Sequence, residues 1–166
     1  MKKMMCAMMF VVIFITMNSC SADSAEGSNS TTTEALVTNY SYNDSEIETM
    51  KLINDYRLSV GLNALEKINH ISFKCEEHNN YMIANNVVDH NDFTSRSNNI
   101  ISVLGAKKVG ENVAYNYKTS EAAVRAWLDS PGHKENIVGD FTHFGLSITI
   151  DAKTGKKYYT NIFAKI

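Results

Sequence analysis

The feature that most constrains this chain is a change of period along its length. Apolar residues recur at helical spacing up to about residue 130, and from Phe144 onward the pattern is apolar and β-branched. Helices first and paired strands last predict an α+β fold, with an antiparallel sheet covered by helices. Ser45 followed by Glu48 reads as a capping box, after which Ile47, Met50, Ile53 and Tyr56 or Arg57 recur until Gly61 stops the run. A second helix is expected from Asn69 to about Asn86, with Ile71, Cys75, His78 and Met82 on one stripe. Residues 91–110 read as a loop with one brief helix around the apolar patch at 100–104. Ser120 and Glu121 open a third helix through Val124, Trp127 and Leu128, which Pro131-Gly132 ends. Residues 144–150, a turn at 151–156 and residues 158–166 form a hairpin, and a further short strand is expected near 112–115.

The start of the chain has another character. Lys2 and Lys3 precede an apolar run from Met4 to Met17, which reads as a secretory signal over residues 1–19 and is short for a membrane span. Its end, Met17-Asn18-Ser19-Cys20, resembles the processing site of bacterial lipoproteins, with Met17 and Asn18 departing from the commoner types there. That resemblance implies lipid on Cys20 and anchoring in the cell envelope; an ordinary cleaved signal is the alternative. Residues 20–43, rich in Ser and Thr, read as a flexible tether, and residues 44–166 as the domain.

Once Cys6 leaves with the signal and Cys20 is acylated, Cys75 has no partner, so a disulfide framework is excluded and one hydrophobic core must stabilise the domain. Loss of Lys2 and Lys3 leaves 14 basic against 18 acidic residues, a formal charge of −4. That sign argues against nucleic acid as a partner.

Five histidines are candidates for chemistry. His70 is expected to be a solvated surface group, and His78 a packed, hydrogen-bonded core residue. His90, His133 and His143 each fall just outside a regular element, where functional groups concentrate. Glu111 lies between Gly110, which permits close backbone approach, and Asn112.

Three stretches then carry a family likeness: Gly110-Glu111-Asn112-Val113-Ala114, Ala126 through Ile137 with Ser130-Pro131-Gly132-His133, and Phe141-Thr142-His143-Phe144-Gly145-Leu146. With Asn54-Asp55-Tyr56-Arg57 in the first helix, they resemble the ordered motif set of bacterial CAP domains, the cysteine-rich secretory, antigen 5 and pathogenesis-related family, over about residues 46 to 166. The resemblance implies a three-layer α-β-α sandwich ending in a C-terminal hairpin, with a polar cluster in its cleft. His90 and Glu111 match that cluster directly. The second histidine of animal and plant members aligns with Asp140, and their second acid with Ser130 beside Asp129, so His133 and His143 are bacterial-type substitutes.

Imidazoles with a carboxylate can hold zinc or copper, or perform acid/base work. A nucleophile is missing: Cys75 is on the buried stripe, and nothing in the spacing activates Ser130 or Thr142. Asn112, Ser130 and Asn136 are expected to support the cluster. Tyr115, Tyr117, Trp127 and Phe141 are candidates for a cleft floor, although Trp127 also fits a core position. The expected function is that of an envelope-anchored, non-catalytic module whose His/Glu cleft binds a lipid, a protein partner or a divalent metal. A zinc-dependent hydrolase and a purely structural protein, with the cluster acting as a loop clamp, remain open.

Overall fold

In the computed structural model, residues 35–166 are described; the segment read as an export signal, Cys20 and most of the expected tether lie outside them. Five helices and four strands follow in the order α1 (Asp44–Ser59), β1 (Glu66–Lys67), α2 (Asn69–Asn85), α3 (Phe93–Leu104), β2 (Lys108–Tyr115), α4 (Ser120–Asp129), α5 (Pro131–Ile137), β3 (His143–Ile150) and β4 (Lys157–Lys165). The sheet order is β1-β3-β4-β2, antiparallel except for the β1–β3 pair.

Side-chain alternation along β4 creates the layers. Tyr159 and Phe163 pack with Ile53 of α1, Trp127 of α4 and Phe144 of β3, whereas Ile162 and Ala164 pack with Ile71 and Cys75 of α2 and Ile100 of α3. The sheet is thus sandwiched between α1, α4 and α5 on one face and α2 and α3 on the other. Gly145 makes the second contact possible: a Cβ there would lie 2.6 Å from the Ile71 carbonyl carbon.

Several boundaries differ from the sequence expectation. The capping box of α1 is Asn43 with Glu46 rather than Ser45 with Glu48. Glu46 is drawn inward because its Oε1 also accepts the Ile148 N–H at 2.8 Å and bonds the Tyr40 hydroxyl. The helical stripe of α1 ends on Arg57, not Tyr56: Arg57 is fully buried and donates to the carbonyls of Asn63, Ile137 and Gly139 at 2.7–2.9 Å. The helix opened at Ser120 ends at Asp129, just before Pro131 as expected, but Pro131 also occupies the first turn of a further helix, α5, where its missing N–H costs nothing. α3 is twelve residues long rather than brief, and β2 is eight residues long.

The segment before α1 is docked. The Val37 N–H donates to His70 Nδ1 at 3.1 Å, Asn69 donates to the Thr38 carbonyl, and the Tyr42 hydroxyl donates to Asn69 Oδ1. The packed edge of the domain therefore lies near Val37, not at residue 44. His70, expected at the surface, is fully buried, with Nε2 2.7 Å from Asn99 Oδ1. Both ring nitrogens are satisfied, which is what makes its burial tolerable.

Candidate functional site

β2 carries the centre of the site. Glu111 points toward the α2/α3 layer, and Gly110 and Asn112 face α5, as strand alternation requires. The Glu111 carboxylate is almost fully buried and held by two cations or potential cations. Its Oε1 accepts His90 Nδ1–H at 2.8 Å and Arg96 Nη2–H at 2.9 Å, and its Oε2 accepts Arg96 Nε–H at 2.9 Å. Burial pushes the acid up, but the bonds from His90 and Arg96, together with the Arg96 charge, outweigh it and hold the group below the usual carboxylate range.

Arg96 is the residue that sequence reasoning missed. It sits in the first turn of α3, where the sequence predicts only a loop, and its third nitrogen donates to the Asn91 carbonyl at 2.7 Å. A single arginine in a polar stretch gives little signal by itself. The requirement that one buried acid find a cation is the available clue.

His90 precedes α3 and is half-exposed, with Nε2 left facing away from the carboxylate. His133 is inside α5. Asn112 Nδ2 donates to its backbone carbonyl at 3.0 Å, and Asn136 Nδ2 donates to the Glu111 carbonyl at 3.1 Å and to Asn112 Oδ1 at 2.8 Å. This clamp ties α5 to β2, and it needs Gly110, where a Cβ would meet Asn136 Oδ1 at 2.6 Å. Burial, and after it the field of His90, lowers the His133 pKa, so this imidazole is neutral at pH 7.

His143 does not join them. β4 lies between β3 and β2, which separates His143 from Glu111 by about 10 Å, two strand spacings. Its Nδ1 is 2.8 Å from Thr142 Oγ1, and its Nε2 is 3.8 Å from Glu66 Oε2. The Thr142 hydroxyl also accepts the Ile166 N–H at 3.0 Å, so this group ties down the end of the chain. Asp140 pairs with Lys165 at the surface, and Asp129 is exposed. Cys75 is fully buried, donates to the Gly145 carbonyl at 3.4 Å, and burial pushes its thiol well up. His78 is buried as expected, with Nε2 donating to the Asp89 carbonyl at 2.8 Å.

Two hollows adjoin the cluster. One of about 700 Å³ between α2 and α3 is lined by Lys74, Glu77, His78 and Arg96. The other, about 360 Å³, lies between the end of β2 and α4 and is lined by His133, Ser130, Tyr115, Tyr117 and Trp127. Phe141 is instead a core residue, and Trp127 serves both roles, since it is 1% exposed.

Among the described residues no group of three or more His, Cys, Asp or Glu side chains is arranged to hold a metal ion. The donor set does not fit zinc as it stands, because the Arg96 guanidinium engages both Glu111 oxygens and brings positive charge to the place where a cation would bind.

The family model described as the Cysteine-rich secretory protein family, CAP, matches residues 50–163. The uncharacterized protein YkwD of Bacillus subtilis (strain 168) is 33% identical over 105 residues, covering 61% of this chain and 41% of that protein. The chain spans less than half the length of the Bacillus subtilis relatives it matches. Among solved structures, an extracellular protein containing a SCP domain from Bacillus anthracis str. Ames superposes with a TM-score of 0.64 at 25% identity, over 74% of this chain and 40% of that one. An outer surface protein from Borrelia burgdorferi gives 0.66 at 19% identity, over 78% and 98% of the two chains. The second likeness shows the fold alone. Among the described residues no helix is long and apolar enough to cross a membrane.

Proposed function

The chain belongs to the cysteine-rich secretory protein family, CAP, and on that premise we propose that it is an exported binding module, displayed on the cell envelope through lipid on Cys20. Its ligand, a lipid or a partner protein, sits in the cleft beside His90, Glu111 and His133, and no covalent chemistry takes place there. One observation carries the non-catalytic reading: both oxygens of Glu111 are engaged by Arg96 and His90. A carboxylate so neutralised is a poor general base. No activated nucleophile adjoins it among the described residues, since Cys75 is fully buried and its thiol is held protonated by that burial. The cluster then fixes the ring of His90 through Nδ1 and leaves Nε2 for a ligand. The extracellular character of the similar Bacillus anthracis protein supports export.

The test is hydrolysis by the purified protein against peptide and ester panels, with metal analysis after dialysis. No turnover and no stoichiometric zinc are expected. Turnover abolished by Glu111→Ala, or zinc retained by the protein and lost on His90→Ala, overturns the reading. The anchor is tested separately: mass spectrometry of the mature N-terminus finds an acylated Cys20, and Cys20→Ser releases the protein from membranes.

A further inference from the structure

The 360 Å³ hollow beside His133 has a chemistry of its own. Its walls are aromatic, from Tyr117 and Trp127, its rim is polar, from Ser130 and His133, and Tyr115 borders it from the end of β2 while its ring packs on Tyr158 across the sheet. Such a volume is within the range of small-molecule sites, which combine apolar walls with a few placed polar groups.

The edge of β2 determines which polar group can enter. The Asn116 N–H donates to the Lys157 carbonyl, and the register pairs Ala114 with Tyr159 and Asn112 with Asn161. In an antiparallel ladder this makes even-numbered β2 residues exchange bonds with β4 and turns the backbone of Glu111 and Val113 outward. Their outward carbonyls are already taken: Asn136 Nδ2 donates to that of Glu111, and Trp127 Nε1 donates to that of Val113 at 2.9 Å. An incoming strand needs donors and acceptors in alternation and finds the Glu111 and Val113 carbonyls already engaged. What the edge offers the hollow is a donor, the outward N–H of Val113, with the His133 imidazole and Ser130 hydroxyl nearby.

We propose that this hollow binds a small molecule with a flat apolar body and a carbonyl or carboxylate head, the body lying against Tyr117 and Trp127 and the head at the Val113 N–H and His133. The inference rests on the binding reading through His133, and it adds the class of ligand. A protonated amine of the same size has no lone pair for the Val113 N–H, leaves it unpaired and binds more weakly.

Trp127 is the only tryptophan in the chain, so its fluorescence reports on the hollow directly. The purified exported protein is titrated with phenylacetate, phenylacetamide and 2-phenylethylamine. Saturable fluorescence changes are expected for the acid or the amide, with the amine at least about tenfold weaker. A tighter acid identifies a carboxylate ligand, and a tighter amide a neutral acyl group. Ala126→Leu fills the hollow from α4 and should weaken binding about tenfold or more while circular dichroism is unchanged. If that variant does not fold, Tyr117→Leu removes one aromatic wall and is read in the same way. An amine that binds as tightly as the other two, unchanged affinity in the filled variant, or no saturable signal by fluorescence and by saturation-transfer NMR overturns the proposal. A protein that proves to be a hydrolase but still binds phenylacetate here would sink the non-catalytic reading alone.

Discussion

Replacing Arg96 with alanine removes two charge-assisted bonds to Glu111, each 2.9 Å long, and leaves its carboxylate with His90 as its remaining side-chain partner. The Glu111 side chain is 1% exposed and that of Arg96 10%, so the acid cannot recover its hydration by a small movement. Breaking a buried ion pair from one side costs about 3–5 kcal/mol. Because Arg96 borders the larger hollow, where water can enter, the lower end applies, about 3 kcal/mol. For a domain of this size that is a fall in Tm of roughly 10 °C. The pH dependence makes the test specific. In the native protein the Glu111 pKa is lowered, so its stabilising contribution is complete above the ordinary value of about 4.3 and is lost as pH falls through the lower folded value. In Arg96→Ala burial is opposed only by the His90 bond and the weaker field of His78, and the folded pKa moves above the ordinary one. The variant then carries a penalty at pH 7 that shrinks as the pH falls. Thermal unfolding followed by circular dichroism at pH 7 and 4.5 should show the gap narrowing toward acid, and adding Glu111→Gln should restore part of the loss. A gap under about 1 kcal/mol, a gap constant with pH, or a double variant no more stable than Arg96→Ala would refute the assignment.

Two further outcomes follow from the packing of α2 on the sheet. Gly145→Ala brings a Cβ to 2.6 Å from the Ile71 carbonyl carbon and into the Ser72 amide, so helix and strand must separate; a loss of about 3 kcal/mol in urea unfolding is expected, and an unchanged midpoint would show that α2 does not lie against β3. Cys75, fully buried with its thiol pushed well up, should resist iodoacetamide in the folded protein and react as the chain unfolds in urea. Native-state labelling at the rate of a free thiol would contradict its placement on the inner stripe of α2.

How much of this is legible from sequence depends on whether a residue's partner is near it in the chain. The stripe of α2 and the final hairpin are readable because period alone specifies them, whereas in α1 the period places Met50 and Ile53 but Ile47 is exposed, and Glu46 and Thr49 take the inner face beside it. The capping box falls two residues away from its sequence position because Asn43/Glu46 and Ser45/Glu48 have the same local spacing. The Ile148 amide, far along the chain, decides between them by drawing Glu46 inward. α3 exceeds its sequence expectation because only Ile100 among its twelve residues is buried, so it carries too narrow an apolar face to announce its length. His70 looks solvated in the sequence because its partners are Val37 and Asn99, 33 and 29 residues away. In the site, motif order finds His90 and Glu111, and it groups His143 with them for the same reason. Motif order does not reveal that β4 lies between β2 and β3. The missed Arg96 has the largest functional consequence. Histidines around a carboxylate suggest a metal centre or an acid/base pair while the carboxylate is taken to be available. With a guanidinium on both of its oxygens, Glu111 instead becomes a neutralised strut that orients His90 and holds the mouth of the cleft. The chemistry open to this cluster is therefore set by the one partner that motif and spacing do not name.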